Sequence, residues 1–334
     1  MANKNSNLQV AKNQKDDEFY TTYETIEKEL SHYLNHFNDK TILCNCDDPY
    51  ESNFCKYFLL NFNKLGIKRL ICTSYAGSKM FKKNAIFKTS NKKHGYVLDV
   101  KSVDDEIINT NEELARFIID NNVVHELNGN GDFRSEECIN YLKDSDIIVT
   151  NPPFSLFKEM MSIIMSNNKK FLLISNQNAL TYKEIFPLIQ TNKIWTGFQF
   201  GEMKFRVPST SPERKTRFWI DENGQKWRSL GNAMWLTNLD NEKRHQKIFL
   251  SKTYNDRDYP TYDNYDAINV RTINDIPSDY YGVMGVPITF INRYNSEQFI
   301  IVGEANHGSD NEFDLFKPTI NGKELFKRIL IKRK

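Results

Sequence analysis

The stretch Asp146–Phe154, DIIVTNPPF, is a short apolar run that stops abruptly at Asn-Pro-Pro-Phe. Four β-prone residues bounded by a turn signal are typical of a buried strand in a parallel sheet. Loops at the carboxyl ends of such strands are where α/β proteins bind their ligands. We therefore expect the segment Asn151–Phe154 to belong to a functional site.

Strand and helix patterns alternate on both sides of this stretch. A strand is predicted over Thr41–Cys44, and the following helix, over Ser52–Gly66, begins at a serine N-cap and ends at a glycine. This rhythm predicts an α/β protein with a mostly parallel sheet that helices cover on both faces. Further strands are predicted over Arg69–Tyr75, Ala85–Lys88, Gly95–Val100, Lys170–Ser175 and Ile194–Phe200, and further helices over Glu112–Asp120, Ser135–Leu142, Ser155–Met165 and Tyr182–Ile189.

Beyond about Gly201 the pattern becomes irregular, because aromatic, charged and turn residues mix. We interpret this part as a smaller irregular region attached to the α/β core. Its strand-like pieces lie at Arg217–Asp221, Asn232–Leu239, Ile288–Asn292 and Phe299–Gly303, and Tyr254–Val270 resembles an ordered surface loop.

The composition is that of a globular protein. The 334 residues are 39% hydrophobic and 26% charged, with a net charge of +2, which excludes a mostly disordered chain. No apolar run approaches the roughly 18 residues that a membrane span needs, and the amino terminus lacks the apolar segment of a signal peptide. We expect a protein of the cytoplasm that has no membrane partner.

The cysteines and the basic residues give weaker signals. The five cysteines form no CxxC pair, so we expect buried thiols and predict neither a metal site nor a disulfide framework. Lysines cluster between Lys79 and Lys93, and basic residues recur in the tail Lys327–Lys334 and at Arg214, Lys215, Arg217, Lys243, Arg244 and Lys247. Such clusters suit phosphate contacts, although each alone is also typical of a solvated surface.

The NPPF segment has a chemistry of its own. Two consecutive prolines remove two backbone donors, so the turn presents acceptors, namely the Asn151 side-chain oxygen and the Pro152 carbonyl. Two adjacent acceptors suit an –NH₂ group, and Phe154 adds a flat face on which a ring can stack. Acceptors that localise the lone pair of an aromatic amine allow it to attack an activated methyl group directly. The alternative is that Pro-Pro merely ends a strand.

Several segments together carry a resemblance to a known family. They are Asp17–Thr21 (DEFYT), Cys44–Phe58 (CNCDDPYESNFCKYF), Gly131–Phe133 (GDF), Asn151–Phe154 and Gly285–Gly303. The sequence resembles the EcoRI-type adenine-specific DNA methyltransferases, which use S-adenosylmethionine. The resemblance implies a Rossmann-like methyltransferase core over residues 17–200 and a DNA-recognition and carboxyl-terminal region over 201–334. The polar sequence of residues 1–16 predicts a flexible arm.

The resemblance also implies roles for individual residues. Asn151, Pro152, Pro153 and Phe154 would hold the target adenine and its N6 amino group, with Asn151 also bordering the cofactor. Asp132 and Phe133 would lie against the adenine ring of the cofactor, and Tyr20 and Thr21 would close its pocket. Asn45, Cys46, Asp47 and Asp48 would lie at its methionine end.

Two features depart from the wider class of such enzymes. The loop after the first strand has no glycine, although a Gly-rich turn is usual there. The next strand ends in Cys-Thr-Ser-Tyr, where an acid that binds the ribose is expected. Asp47 or Asp48 would take over polar contacts, and the residues alone do not decide between them.

The implied partners are double-stranded DNA and a cognate restriction endonuclease, in a bacterial cytoplasm. An enzyme acting on adenine N6 in a duplex must flip the base out of the stack. Phe205 is a candidate second aromatic against that base. Two alternatives remain, the same chemistry on RNA or a protein glutamine, and a catalytically silent nucleic-acid-binding relative.

Overall fold

The computed structural model describes residues 19–76, 94–103, 111–305 and 317–334. The predicted arm over 1–16, the strand Ala85–Lys88 and the lysine cluster between Lys79 and Lys93 lie outside these residues. None of the helices in the described ranges is long and apolar enough to cross a membrane.

A ten-stranded mixed sheet forms the main scaffold. In chain order its strands are β1 (Tyr20–Thr21), β2 (Thr41–Cys44), β3 (Arg69–Ser74), β4 (Tyr96–Val100), β5 (Val124–Glu126), β6 (Ile147–Thr150), β7 (Lys170–Asn176), β8 (Trp195–Arg206), β9 (Phe218–Ile220) and β10 (Lys226–Thr237). Their order across the sheet is β1-β8-β10-β7-β6-β2-β3-β4-β5, and β9 pairs with β10.

The sheet is parallel only at its centre. Strands β7, β6, β2 and β3 run parallel, whereas β4 and β5 continue the sheet antiparallel on one side. On the other side β10 is antiparallel to β7, and β1 is antiparallel to β8. The α/β class is therefore confirmed, but the expectation of a mostly parallel sheet holds only for these four central strands.

Six α-helices accompany the strands within the described residues. They are α1 (Tyr23–Leu30), α2 (Asn53–Leu60), α3 (Asn111–Asp120), α4 (Glu136–Asp144), α5 (Phe157–Ser166) and α6 (Phe186–Gln190). Three of them begin at a hydroxyl N-cap that accepts from a backbone N–H of the first turn: Thr22 for α1, Ser52 for α2 and Ser135 for α4.

Some boundaries differ from the predicted ones. Helix α2 begins at the predicted cap but ends at Leu60, and turns lead on to Gly66, whose φ is +62°. The segment Ile288–Asn292 was predicted to be a strand, but it is part of a 3₁₀ helix over Ile288–Arg293. A short apolar run does not by itself distinguish a strand from a buried helical turn, and here Pro287 ends a strand and stands at the N-cap of the 3₁₀ helix.

The chain forms two compact units. The first comprises the described residues up to Asn176 together with Phe198–Leu239, and its core packs helix residues such as Phe58 against strand residues such as Ile42 and Trp235. Four of the five cysteines are buried thiols, in line with the prediction, and Cys46 is partly exposed.

The second unit comprises Gln177–Gly197 and Asp240–Lys334. Its sheet has the order β11-β12-β16-β13, with β11 at Ile268–Asn269, β12 at Met284–Pro287, β13 at Phe299–Ala305 and β16 at Arg328–Arg333; β14 (Thr319–Ile320) pairs with β15 (Lys323–Glu324). The irregular segment Tyr254–Val270 buries Tyr259 and Tyr262, so it contributes to the core of this unit as well as to its surface. The functional division at residues 200 and 201 stays a prediction.

Candidate active site

A cavity of about 550 Å³ opens in the first unit at the carboxyl ends of β2, β3 and β6. Its volume lies in the range of small-molecule sites. Most of the predicted site residues line it, namely Tyr20, Thr21, Asn45, Cys46, Asp47, Asp48, Asp132, Phe133, Asn151 and Pro153. Pro152 is buried and Phe154 is half-buried, and both adjoin residues of its wall.

The Asn151 side chain follows β6 and is anchored by Phe19 and by Thr21 of strand β1. Its Nδ2 donates to the Phe19 carbonyl at 2.6 Å and lies 3.3 Å from the Thr21 hydroxyl. Its Oδ1 is buried, and no group among the described residues donates to it. A buried acceptor without a donor is costly, which marks Oδ1 as a place where a ligand donor is needed.

The two prolines and Phe154 shape the turn after Asn151. The Pro153 carbonyl accepts from the Leu156 N–H at 2.9 Å, which closes a 3₁₀ turn over Phe154–Leu156. The Phe154 ring stacks on Phe19, with ring centroids 5.4 Å apart and an interplanar angle of 25°. The Pro153 carbonyl is thus occupied by a hydrogen bond within the turn, and Phe19 supports one face of the Phe154 ring.

Phe205, the candidate second aromatic against the target base, offers no exposed surface to a ligand in this structure. Its ring is fully buried and meets the edge of Phe19 at 5.5 Å. Among the described residues, Phe19 is an aromatic residue that stacks on Phe154. The sequence predicted no role for Phe19, although it precedes Tyr20 in the segment DEFYT.

Asp47 is the buried polar centre of the loop after β2. Its two carboxylate oxygens accept from the hydroxyls of Ser52 and Thr150, each at 2.6 Å. Burial raises the pKa of Asp47 to about 6, because the charged form loses its hydration. The carboxylate ties the start of α2 to the end of β6 and so fixes two walls of the cavity.

Asn45 and Asp48 lie on the same loop. Asn45 Nδ2 donates to the Met160 sulfur at 3.5 Å, while its buried Oδ1 receives no donor from the described residues. Asp48 Oδ1 accepts from the N–H groups of Tyr50 and Glu51, and burial raises the pKa of this carboxyl. This turn replaces the Gly-rich turn that is usual at the position, and Asn45 leaves one acceptor for a ligand.

Glycine is required on the neighbouring loop instead, at Gly131. Its φ is +76°, and a Cβ built there would lie 1.9 Å from the Ser74 carbonyl oxygen at the end of β3. The following residue, Asp132, forms a two-pronged ion pair with Arg134, with 2.6 Å between Oδ2 and a guanidinium nitrogen. The Arg134 guanidinium lowers the pKa of Asp132, so this carboxylate is ionised at neutral pH.

A hairpin formed by β9 and β10 lies in the same unit. Trp219 and Trp227 stack across it with centroids 6.1 Å apart, and Trp219 keeps 37% of its surface exposed. Arg214, Lys215 and Arg217 are exposed just before it. The hairpin therefore presents aromatic and basic side chains together.

Comparison with known proteins gives one consistent result. A family model described as adenine-specific methyltransferase EcoRI matches residues 7–334. The type II methyltransferase M.EcoRI of Escherichia coli is 46% identical over 334 residues, which cover 99% of this chain and 97% of that protein. M.MgeORF184P of Mycoplasma genitalium is 35% identical over 97% of each chain, and M.MpnI of Mycoplasma pneumoniae is 34% identical over 87% of this chain and 83% of its own. No solved structure matches.

Proposed function

Because this chain belongs to the EcoRI family of adenine-specific methyltransferases, we propose that it transfers a methyl group from S-adenosylmethionine to the N6 amino group of an adenine in duplex DNA. The observation that carries the proposal is the Asn151 amide, whose buried Oδ1 has no donor among the described residues. An exocyclic amine is a donor of the right kind for it.

The amine is held by two acceptors. Asn151 Oδ1 accepts one N–H of the target amine, and the Pro152 carbonyl accepts the other. Together they draw the amine toward a tetrahedral geometry and localise its lone pair. The half-buried ring of Phe154 stacks on the base, and Phe19 supports that ring from its other face. Pro153 keeps the segment rigid through its fixed φ.

We propose that this cavity, on a core of the Rossmann-like type, is where S-adenosylmethionine would bind. The volume of about 550 Å³ and the donor-free Asn45 Oδ1 fit a ligand that carries an ammonium group. Asn45, Cys46 and Asp48 border its methionine end, and Asp47 holds that loop in place through Ser52 and Thr150. Asp132 and Phe133 would lie against its adenine ring, and Tyr20 and Thr21 would close the pocket, with Asn151 at its border. S-adenosylmethionine supplies the electrophilic methyl group when it is bound.

The β9–β10 hairpin and residues 201–334 more generally contact the DNA. Flipping the base costs a few kcal/mol, which phosphate contacts and stacking offset. The exposed Arg214, Lys215 and Arg217 suit phosphates, and the stacked Trp219 and Trp227 offer an apolar surface. The relatives are type II methyltransferases, and we propose that this enzyme likewise protects a site that a cognate restriction endonuclease cuts.

Two measurements test the proposal. Methylation-sensitive sequencing of DNA from cells that express the protein should find N6-methyladenine at one short motif, and label on RNA or protein in place of DNA would contradict the assignment. The Asn151→Ala enzyme should lose methyl transfer while its unfolding and cofactor binding stay close to those of the wild type. Normal turnover by a folded Asn151→Ala enzyme would remove Asn151 from the reaction.

A further inference from the structure

The two polar atoms of the Asn151 amide have different surroundings: Nδ2 donates to the protein, and Oδ1 has no protein donor among the described residues. Nδ2 donates to the Phe19 carbonyl, just before strand β1, and to the Thr21 hydroxyl within it. The oxygen receives no donor from the described residues. An amide can be turned by 180° about its last bond at little cost unless its surroundings prefer one orientation.

We infer that Phe19 and strand β1 position the Asn151 amide, through the Phe19 carbonyl and the Thr21 hydroxyl, and that the site therefore works with an amide and not with a carboxylate at position 151. The inference rests on the proposed function, in which Asn151 Oδ1 holds the target amine. It adds the groups that keep this oxygen in place.

The geometry favours one orientation strongly. In the reverse orientation Oδ1 would lie where Nδ2 now lies, 2.6 Å from the carbonyl oxygen of Phe19. Two acceptors would then face each other, while the –NH₂ group of Asn151 would point its hydrogens at the hydrogens of the target amine. Both consequences oppose the reverse orientation, so the acceptor stays toward the base.

Strand β1 is itself held in register from two sides. The Thr21 carbonyl accepts from Asn53 Nδ2 at 2.7 Å, at the first residue of α2. On its other side β1 pairs with β8, with Tyr20 opposite Arg206. Arg206 forms an ion pair with Glu51 at 3.0 Å and also lies over the Tyr20 ring. Helix α2 and strand β8 thus fix the position of β1, and β1 in turn fixes the position of the Asn151 amide.

A carboxylate at position 151 would meet the same two groups. An ionised aspartate has no hydrogen for the Phe19 carbonyl, whereas the neutral acid donates one from its hydroxyl and still offers an oxygen to the amine. The charged side chains that line the cavity are Asp47, Asp48, Glu51, Asp132, Glu159 and Arg134, and two further cations, Arg206 and Arg228, lie over the rings of Tyr20 and Phe19. The five acids outnumber the three cations, and this excess together with burial favours the neutral form of a further acid.

The first test compares Asn151→Asp with the wild type at several pH values. Only the protonated aspartate fits, so the ratio of the variant's kcat to that of the wild type should rise as the pH falls from 8 toward 6. Taking the ratio removes the titration of groups that both proteins share. A ratio near one at pH 8, or one that does not change with pH, would overturn the inference.

The second test uses Thr21→Val, which keeps the shape of the side chain without its hydroxyl, and Thr21→Ser, which keeps the hydroxyl. The valine variant should lose about two- to tenfold in kcat, the worth of one hydrogen bond, with little change in the KM for either substrate. The serine variant should recover most of the loss. If valine instead raises only the KM for S-adenosylmethionine, Thr21 acts on the cofactor and not on Asn151.

The tests separate this inference from the proposal beneath it. Normal activity of Asn151→Ala contradicts the proposed function itself. An inactive Asn151→Ala enzyme together with a fully active Asn151→Asp enzyme at pH 8 leaves the function standing and contradicts only the positioning role. Thermal melting of each variant shows whether it is folded, and the Thr21 pair decides the matter should Asn151→Asp fail to fold.

Discussion

Replacement of Gly131 by alanine tests how closely the loop after β5 approaches β3. The alanine Cβ would lie 1.9 Å from the Ser74 carbonyl oxygen, and the backbone φ is +76°, in the left-handed region. The left-handed conformation costs a non-glycine residue about 1–2 kcal/mol, and overpacking costs about 1–3 kcal/mol more. We therefore expect Gly131→Ala to lower the free energy of unfolding by about 2–5 kcal/mol.

Gly129 supplies the matched control on the same loop. A Cβ at Gly129 meets only a carboxylate oxygen of Glu137, at 3.8 Å, so Gly129→Ala should change the stability little. Urea unfolding of both variants measures the difference, and calorimetry with S-adenosylmethionine should show weaker binding to Gly131→Ala alone, since Asp132 moves with its neighbour. Equal stability of the two variants would refute the close approach as the reason for the glycine.

Three further outcomes are expected. Asp132→Ala should weaken cofactor binding by about 1.5–3 kcal/mol, because it removes the carboxylate. Arg134→Ala removes the same ion pair but keeps the carboxylate, so it should leave cofactor binding unchanged. Equal losses of binding free energy in calorimetry would assign the effect to the ion pair. Because the folded state raises the pKa of Asp47 from 3.8 to about 6, the free energy of unfolding should fall by up to about 3 kcal/mol as the pH rises through this window. Asp47→Asn should remove that slope in urea titrations, and an unchanged slope would place the titration elsewhere. Phe154→Ala should destabilise the flipped base by about 1–3 kcal/mol, and by less when the target is mispaired, whereas Phe154→Trp should retain most of the stacking. The fluorescence of 2-aminopurine at the target position reports the flipped state. An unchanged signal for Phe154→Ala would show that the ring only packs against the protein.

The local parts of the fold could be predicted from the sequence. Continuous apolar runs such as Thr41–Cys44 and Ile147–Thr150 form buried strands, and Ser52 caps the helix that it was expected to cap. The residues that end these strands meet at one edge of the sheet because parallel strands end on the same side. This explains why Asn45, Asp47 and Asn151 line one cavity, as expected from the sequence.

The parts that depend on distant pairing could not be predicted. Strand β1 has only two residues, too few for any periodic signal, and its partner β8 stands far along the chain. The contact of Phe19 with Asn151 depends on where this short strand lies, and the close approach of Gly131 to Ser74 depends on how β3, β4 and β5 pair. Strand β8 extends to Arg206, beyond the predicted end at Phe200. The prediction stopped early because the last residues of the strand mix polar and apolar side chains around Gly201.

The pairing of β1 with β8 also sets the order in which a new chain matures. The ribosome makes Tyr20 early and the NPPF turn midway, but Phe205 and Arg206, which hold β1 in register, emerge only later. Contacts between such distant segments form late, because closing a long loop costs chain entropy before the contact stabilises it. Nascent chains and fragments that end before Arg206 therefore contain the whole NPPF turn but lack one of the two contacts that hold β1 in register, and we expect them to transfer no methyl group.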